Sequence, residues 1–166
     1  LKRATEEELS KLIEIFSELE VEEIENPNSF FKHIGILDVY PRCLSIEEAA
    51  LLLGRDHNDR HEPQYVQYFQ RCLQLMTGLV YILKQPIFSE LKRFEKEVYK
   101  VEDSKELLNL IPYIAREECF YNIYLMEVKT VVIGNFDLSW PIYSNSDNFK
   151  IFNEIAREVN LYIRNS

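Results

Sequence analysis

The stretch QYVQYFQRCLQLMTGLVYILK, residues 64–84, carries apolar side chains at Val66, Phe69, Leu73, Met76, Val80 and Leu83. Steps of three and four lay one apolar stripe along a helix. From Cys72 onward Leu75, Leu79, Tyr81 and Ile82 fill its other sides, and a helix apolar nearly all round is one that other elements surround. Gln64, Gln67, Gln70, Arg71 and Gln74 crowd its first half, which a membrane span does not tolerate. The expectation is a soluble protein organised around a central helix over residues 64–84, with no membrane partner.

With 166 residues the chain can bury a substantial core as one domain, 1–166, and its 4 Gly and 6 Pro leave few obligatory breaks, which favours helices. Cys43, Cys72 and Cys119 are odd in number and lack CxxC spacing, a pattern that suits reduced thiols and a cytoplasmic location better than a disulfide framework. The chain has no charged-then-apolar leader. It also contains no Gly-rich phosphate loop, GxSxG elbow or HExxH helix, so no cofactor is expected.

Thr5 with Glu8 forms a capping box, and Leu9, Leu12, Ile13, Phe16 and Leu19 then recur at helical spacing, giving a first helix over about 5–20. Residues 1–25 hold nine acids against three bases, −6 of a total net charge of −9. A surface of this sign repels nucleic acid and anionic lipid and attracts basic partners. Glu14, Glu18, Glu22, Glu23 and Glu25 are therefore candidate partner-binding residues.

The cluster 26–29 is a turn, and Phe30, Phe31 and Ile34 suggest a helical turn ended by Gly35. A second capping box, Ser45 with Glu48, opens a helix over 46–53 that Gly54 stops. LSIEEAALLLG, residues 44–54, resembles the opening helix of excisionase-type helix-turn-helix modules. That resemblance implies a short turn and a basic recognition helix next. The adjoining mixed-charge stretch RDHNDRHEP, residues 55–63, reads as a loop and does not supply one.

Phe88, Leu91, Phe94 and Val98 define a further amphipathic helix over about 87–100. Asp103 with Glu106 is a third capping box, whose helix Pro112 interrupts, and residues 113–126 fit helix and buried strand alike, with a lean to helix at their start. Apolar alternation on both sides of Gly134-Asn135 predicts a β-hairpin over 127–142, pairing Ile133 with Phe136, Val131 with Leu138 and Lys129 with Trp140. Asp137, Trp140 and Tyr143 near its tip are the residue types of binding hot spots. Phe149, Phe152, Ile155, Ala156, Val159 and Ile163 give a final amphipathic helix.

One stretch collects catalytic residue types. Arg55 and His61, separated by five residues with Asp56 after the Arg, resemble the Arg-to-His spacing of helical ribonucleases of the HEPN class, which implies residues that handle a scissile phosphate. Arg55, His57, Asp59, His61 and Glu62 are thus an alternative catalytic set. His57, Asp59, His61 and Glu62 also offer nitrogen and oxygen donors to a divalent metal, although ligands from one loop rarely close a site unaided, and no metal is assigned.

The sequence thus predicts an α+β protein, predominantly α, with about six helices around the 64–84 helix, one hairpin and a C-terminal helix. Its expected role is to bind another, basic protein without catalysis, in concrete form as an acidic immunity or antitoxin-type protein covering a toxin such as a nuclease. The alternatives are a helical regulatory or adaptor protein binding a peptide, and an enzyme, a HEPN-like ribonuclease or metal hydrolase, using residues 55–62.

Overall fold

A computed structural model of the chain describes residues 1–85 and 97–165. Eight strands form one antiparallel sheet. They are β1 (Lys2–Arg3), β2 (His33–Asp38), β3 (Val80–Lys84), β4 (Val98–Val101), β5 (Tyr121–Leu125), β6 (Thr130–Ile133), β7 (Trp140–Ser144) and β8 (Tyr162–Arg164). Across the sheet their order is β1-β4-β3-β5-β6-β7-β2-β8. Among the described residues five α-helices accompany them: α1 (Glu6–Phe16), α2 (Ile46–Leu52), α3 (Arg55–Leu75), α4 (Ser104–Ala115) and α5 (Lys150–Glu158). The predominantly helical architecture with a single hairpin is therefore incorrect.

Strand alternation sorts the core into two layers. Val80, Ile82, Ile123, Leu125, Val132, Trp140 and Ile142 face α3, α4 and α5, whose Tyr65, Phe69, Ile111 and Phe152 complete that cluster. Tyr81, Leu83, Tyr124, Val131 and Ile133 face the other way and meet Leu12 and Phe16 of α1, with Leu19, Val21 and Phe31. Because both faces are covered, the central strands read as continuous apolar runs.

That property explains the largest misreading. The central helix does not reach Lys84: α3 closes with the Met76 N–H on Cys72 O, Gly78 at φ 124 turns the chain, and residues 80–84 are strand β3. All of Val80, Tyr81, Ile82 and Leu83 are buried, and a short apolar run buried on both sides is indistinguishable by periodicity from a buried helix segment. At its other end α3 starts nine residues early. Residues 55–62 are its first two turns rather than a loop, and Pro63 sits inside the helix, where a missing N–H and a crowded carbonyl are tolerated because the following turns are anchored in the core. Pro112 likewise lies within α4.

Other boundaries move for similar reasons. Gly35 lies inside β2 and ends no helical turn; a Cβ there would come 2.6 Å from Ile163 Cγ2. Residues 121–125, left open between helix and strand, are β5. Of the expected helix over 87–100, residues 87–96 lie outside the described residues, and its end is instead strand, since Val98–Val101 is β4. The C-terminal helix stops at Glu158, and Ile163 belongs to β8, which pairs with β2.

The hairpin exists in a different register. β6 and β7 pair Thr130 with Ser144, Val131 with Tyr143 and Val132 with Ile142, leaving 134–139 as a loop with a 3-10 turn at Phe136–Leu138. Gly134 is there for space, since a Cβ would come 2.5 Å from Ile114 Cγ2. Trp140 Nε1 donates to Asn135 O at 3.1 Å, and the Tyr65 hydroxyl donates to Leu138 O. The loop is thus pulled into the core, and a two-residue turn would lose those contacts.

Candidate functional site

The acidic stretch rides on α1 and on the chain that crosses the same sheet face after it. Leu12 and Phe16 point into the sheet, so Glu7, Lys11 and Glu14 face solvent, and Glu18, Glu22, Glu23 and Glu25 are exposed beyond the helix end. Glu7 pairs with Lys11 at 3.5 Å. Glu22 is exposed yet anchored, its carboxylate accepting from the Asn122 amide at 2.9 Å. Glu8, half-buried, accepts from the Thr5 N–H and the Tyr81 hydroxyl, contacts that hold its carboxyl below the usual range. Ile13, next to Glu14 on α1, and Phe30, next to the buried Phe31, are both about half exposed.

Of the three hairpin residues, only Tyr143 is in this layer. It is half-buried, 5.4 Å from the Phe31 ring, and burial followed by the charge of Glu22 pushes its hydroxyl pKa up. Trp140 is fully buried on the opposite sheet face, against Tyr65 and Phe69. Asp137 lies elsewhere again, in a cleft of about 310 Å³ where α3 begins, lined by Gly54, Arg55, Asn58, Arg116, Glu117, Glu118 and Asp137.

In this cleft the buried Asn58 amide donates to Glu117 Oε1 at 3.0 Å, and the Asp137 N–H donates to the same oxygen at 2.8 Å. Glu117 and Asp137 both hold left-handed backbone, φ 63 and 57, a conformation that side chains adopt only when surroundings enforce it. Burial and then the Glu117 charge push the Asp137 carboxyl up. Arg116 is shared between Glu62 and Glu118, each at 3.5 Å, and Arg55 reaches Asp59 at 3.9 Å.

Helix geometry divides the 55–62 set. Residues four apart share a face, so Arg55 and Asp59 fall on one side and His57 and His61 on another. The buried His57 donates from Nδ1 to Asn58 Oδ1 at 3.0 Å, stacks on Tyr40 at 5.6 Å and lies 4.9 Å from the His61 ring. Its Nε2 has no hydrogen-bond partner among the described residues. His61 Nδ1 is 2.6 Å from Gln64 Oε1. Arg55 lines the cleft, whereas His57 stacks on Tyr40 and His61 meets Gln64, and neither histidine lines the cleft. Among the described residues, no group of three or more His, Cys, Asp and Glu side chains is arranged to hold a metal ion.

Asn58, Arg116 and Glu117 escaped the sequence reading. Asn58 and Glu117 are 59 positions apart, and no spacing signal links them. Ile13, read as part of the helical apolar spacing, and Phe30, read as part of a helical turn, are both exposed.

The fold and these surfaces define an α+β protein with one antiparallel sheet covered on both faces. No protein-family model, curated protein or solved structure matches the chain. Among the described residues, no helix is long and apolar enough to cross a membrane.

Proposed function

We propose that this protein binds a basic protein without catalysing a reaction, in the manner of an acidic immunity or antitoxin-type inhibitor of a toxin such as a nuclease. The observation that carries the reading is the exposure of Glu14, Glu18, Glu22, Glu23 and Glu25 along one stretch of chain, with Ile13 and Phe30 also exposed. Carboxylates at this density steer a basic partner into encounter, and a few desolvated apolar contacts then slow its departure. Anchoring of Glu22 by Asn122 and packing of Phe31 on Tyr143 keep the surface pre-organised, which lowers the ordering cost of binding. A cytoplasmic location belongs to the same proposal, consistent with three free cysteines. The catalytic alternative draws no support from residues 55–62, because Arg55 lines the cleft and neither His57 nor His61 does.

The test is affinity capture from the native cells at low and high salt, with mass spectrometry, and then titration of the purified candidate. A basic partner held at low salt, released at high salt and weakened at least about tenfold by combined Glu14→Lys, Glu18→Lys and Glu25→Lys is the expected result. Binding indifferent to salt and to these charge reversals would refute it.

A further inference from the structure

His57 and His61 stand one helical turn apart on α3, so their side chains share a face. Each ring is held by a side-chain amide that has only one way to face it. The Asn58 amide nitrogen donates to Glu117 Oε1 at 3.0 Å. A carboxylate only accepts, so the Asn58 oxygen is the atom that meets His57 Nδ1 at 3.0 Å. The Gln64 amide nitrogen donates to the main-chain carbonyls of Val159 and Asn160 at 3.0 and 3.1 Å, which leaves its oxygen for His61 Nδ1 at 2.6 Å. Both neutral rings therefore carry their hydrogen on Nδ1, and in both Nε2 is the lone-pair nitrogen.

His57 is only 4% exposed, and its buried Nε2 has no hydrogen-bond partner among the described residues. A buried acceptor left unmet costs free energy, and only a hydrogen donor or a cation can meet a lone pair. The spacing of the two rings separates these occupants. Their centres are 4.9 Å apart with the planes at 59°. Two imidazoles that share one tetrahedral ion through nitrogens at about 2.0–2.1 Å have ring centres about 5 Å apart. A water donating to both would hold them at about 6 Å or more. Histidine ligands are also held by an acceptor on the other ring nitrogen, as Asn58 and Gln64 hold these two.

We propose that the Nε2 atoms of His57 and His61 bind one divalent transition-metal ion of the zinc, nickel or copper type, with water completing its coordination. Imidazole donors select these ions over magnesium and calcium. His61 is half-buried and gives the ion its way in from solvent. Pro63 lies two residues further along the helix and has no N–H to offer Asp59 O. A bridge from position 57 to position 61 clamps the turn that this proline weakens. The site does not depend on the basic partner proposed above and uses none of the acids assigned to that surface.

The experiment is a zinc titration of the full chain carrying Cys43→Ser and Cys119→Ser, which removes the two thiols that are not buried. Binding is followed by calorimetry and by long-range proton–nitrogen NMR of the imidazoles. The expected result is one zinc per chain, with the Nε2 resonances of His57 and His61 moving together while those of His33, in β2 and stacked on Phe149, stay in place. Affinity falls at least about tenfold in His61→Ala and by a smaller factor in Gln64→Leu, which keeps the ligand and removes its holder. Magnesium moves none of these resonances. Far-UV circular dichroism checks that His61→Ala folds, and if it does not, the histidine resonances of the parent chain decide the matter. Zinc that does not bind, that binds without moving both histidines, or that ignores a folded His61→Ala overturns the proposal.

Discussion

In α1 the Thr5 hydroxyl accepts from the Glu8 N–H while the Glu8 carboxylate accepts from the Thr5 N–H; in α2 Ser45 and Glu48 exchange the same two bonds. Both helices carry acids in their first turn, where the helix dipole favours them. From there they diverge. α1 buries Leu12 and Phe16 against Tyr81 and Tyr124, with the Phe16 and Tyr124 rings 5.1 Å apart. α2 buries nothing. Capping decides where a helix begins, and what it is worth to the fold depends on the surface it meets.

That contrast can be broken at several points. The largest effect is expected from Phe16→Ala, which empties a fully packed site between α1 and the sheet and should cost about 3–5 kcal/mol of unfolding free energy, read from urea denaturation. A loss under about 1 kcal/mol would mean that α1 is dispensable to its layer. Next come the caps. Thr5→Ala should lower global stability by about 1 kcal/mol, whereas Ser45→Ala should leave the global midpoint in place and speed amide exchange only in α2. Equal global losses would show that α2 is coupled to the core.

Alkali should tell the two helices apart, whereas acid should loosen the caps of both, since Glu8 as well as Glu48 is held below the usual carboxylate range. Burial, then its hydrogen bond to Glu8, pushes the Tyr81 hydroxyl up to about 12. A raised pKa stabilises fully below the ordinary value of 10.0 and is lost as pH rises through about 12. The α1 layer should therefore loosen in alkali, with tyrosinate absorbance and loss of ellipticity rising together. Glu48 behaves inversely: Arg42, then the Ser45 N–H, hold its carboxyl down to about 2. Its contribution is present above the ordinary 4.5 and is lost as pH falls toward about 2, so α2 should fray in acid. Arg42→Gln should move that fraying to higher pH, and an unmoved midpoint would show that Arg42 does not hold the cap. The smallest effect is Leu51→Ser, expected to change the stability of the isolated chain by no more than about 0.5 kcal/mol.

Local signals were readable residue by residue. All three capping boxes form, at Thr5, Ser45 and Asp103, because each needs only side chains three positions apart. The charge imbalance of residues 1–25 needed no folding to be seen, and Glu14, Glu18, Glu22, Glu23 and Glu25 are exposed, while Glu8 and Glu20 are partly buried. The sheet was hidden. β3 shares its apolar run with the end of α3, β4 lies at the end of an amphipathic pattern, and β8 continues the stripe of α5, so each strand borrowed the signature of a neighbouring helix. The cleft at Gly54 was out of reach for a simpler reason: its residues come from α3, the end of α4 and the β6–β7 loop.

The sequence by itself determined the starts of α1, α2 and α4, the acidic stretch and the absence of a long uninterrupted apolar span, since these depend on neighbours within a turn or on charge summed along the chain. Tertiary structure alone decided that Val80, Tyr81, Ile82 and Leu83 extend as a strand and that Gly134 makes room for Ile114. It also placed Trp140 in the core and left Leu51 in water. The physical reason is that a buried strand needs hydrogen-bond partners on both sides, for β3 those of β4 and β5, and partners so distant along the chain leave no periodic trace in the segment that requires them.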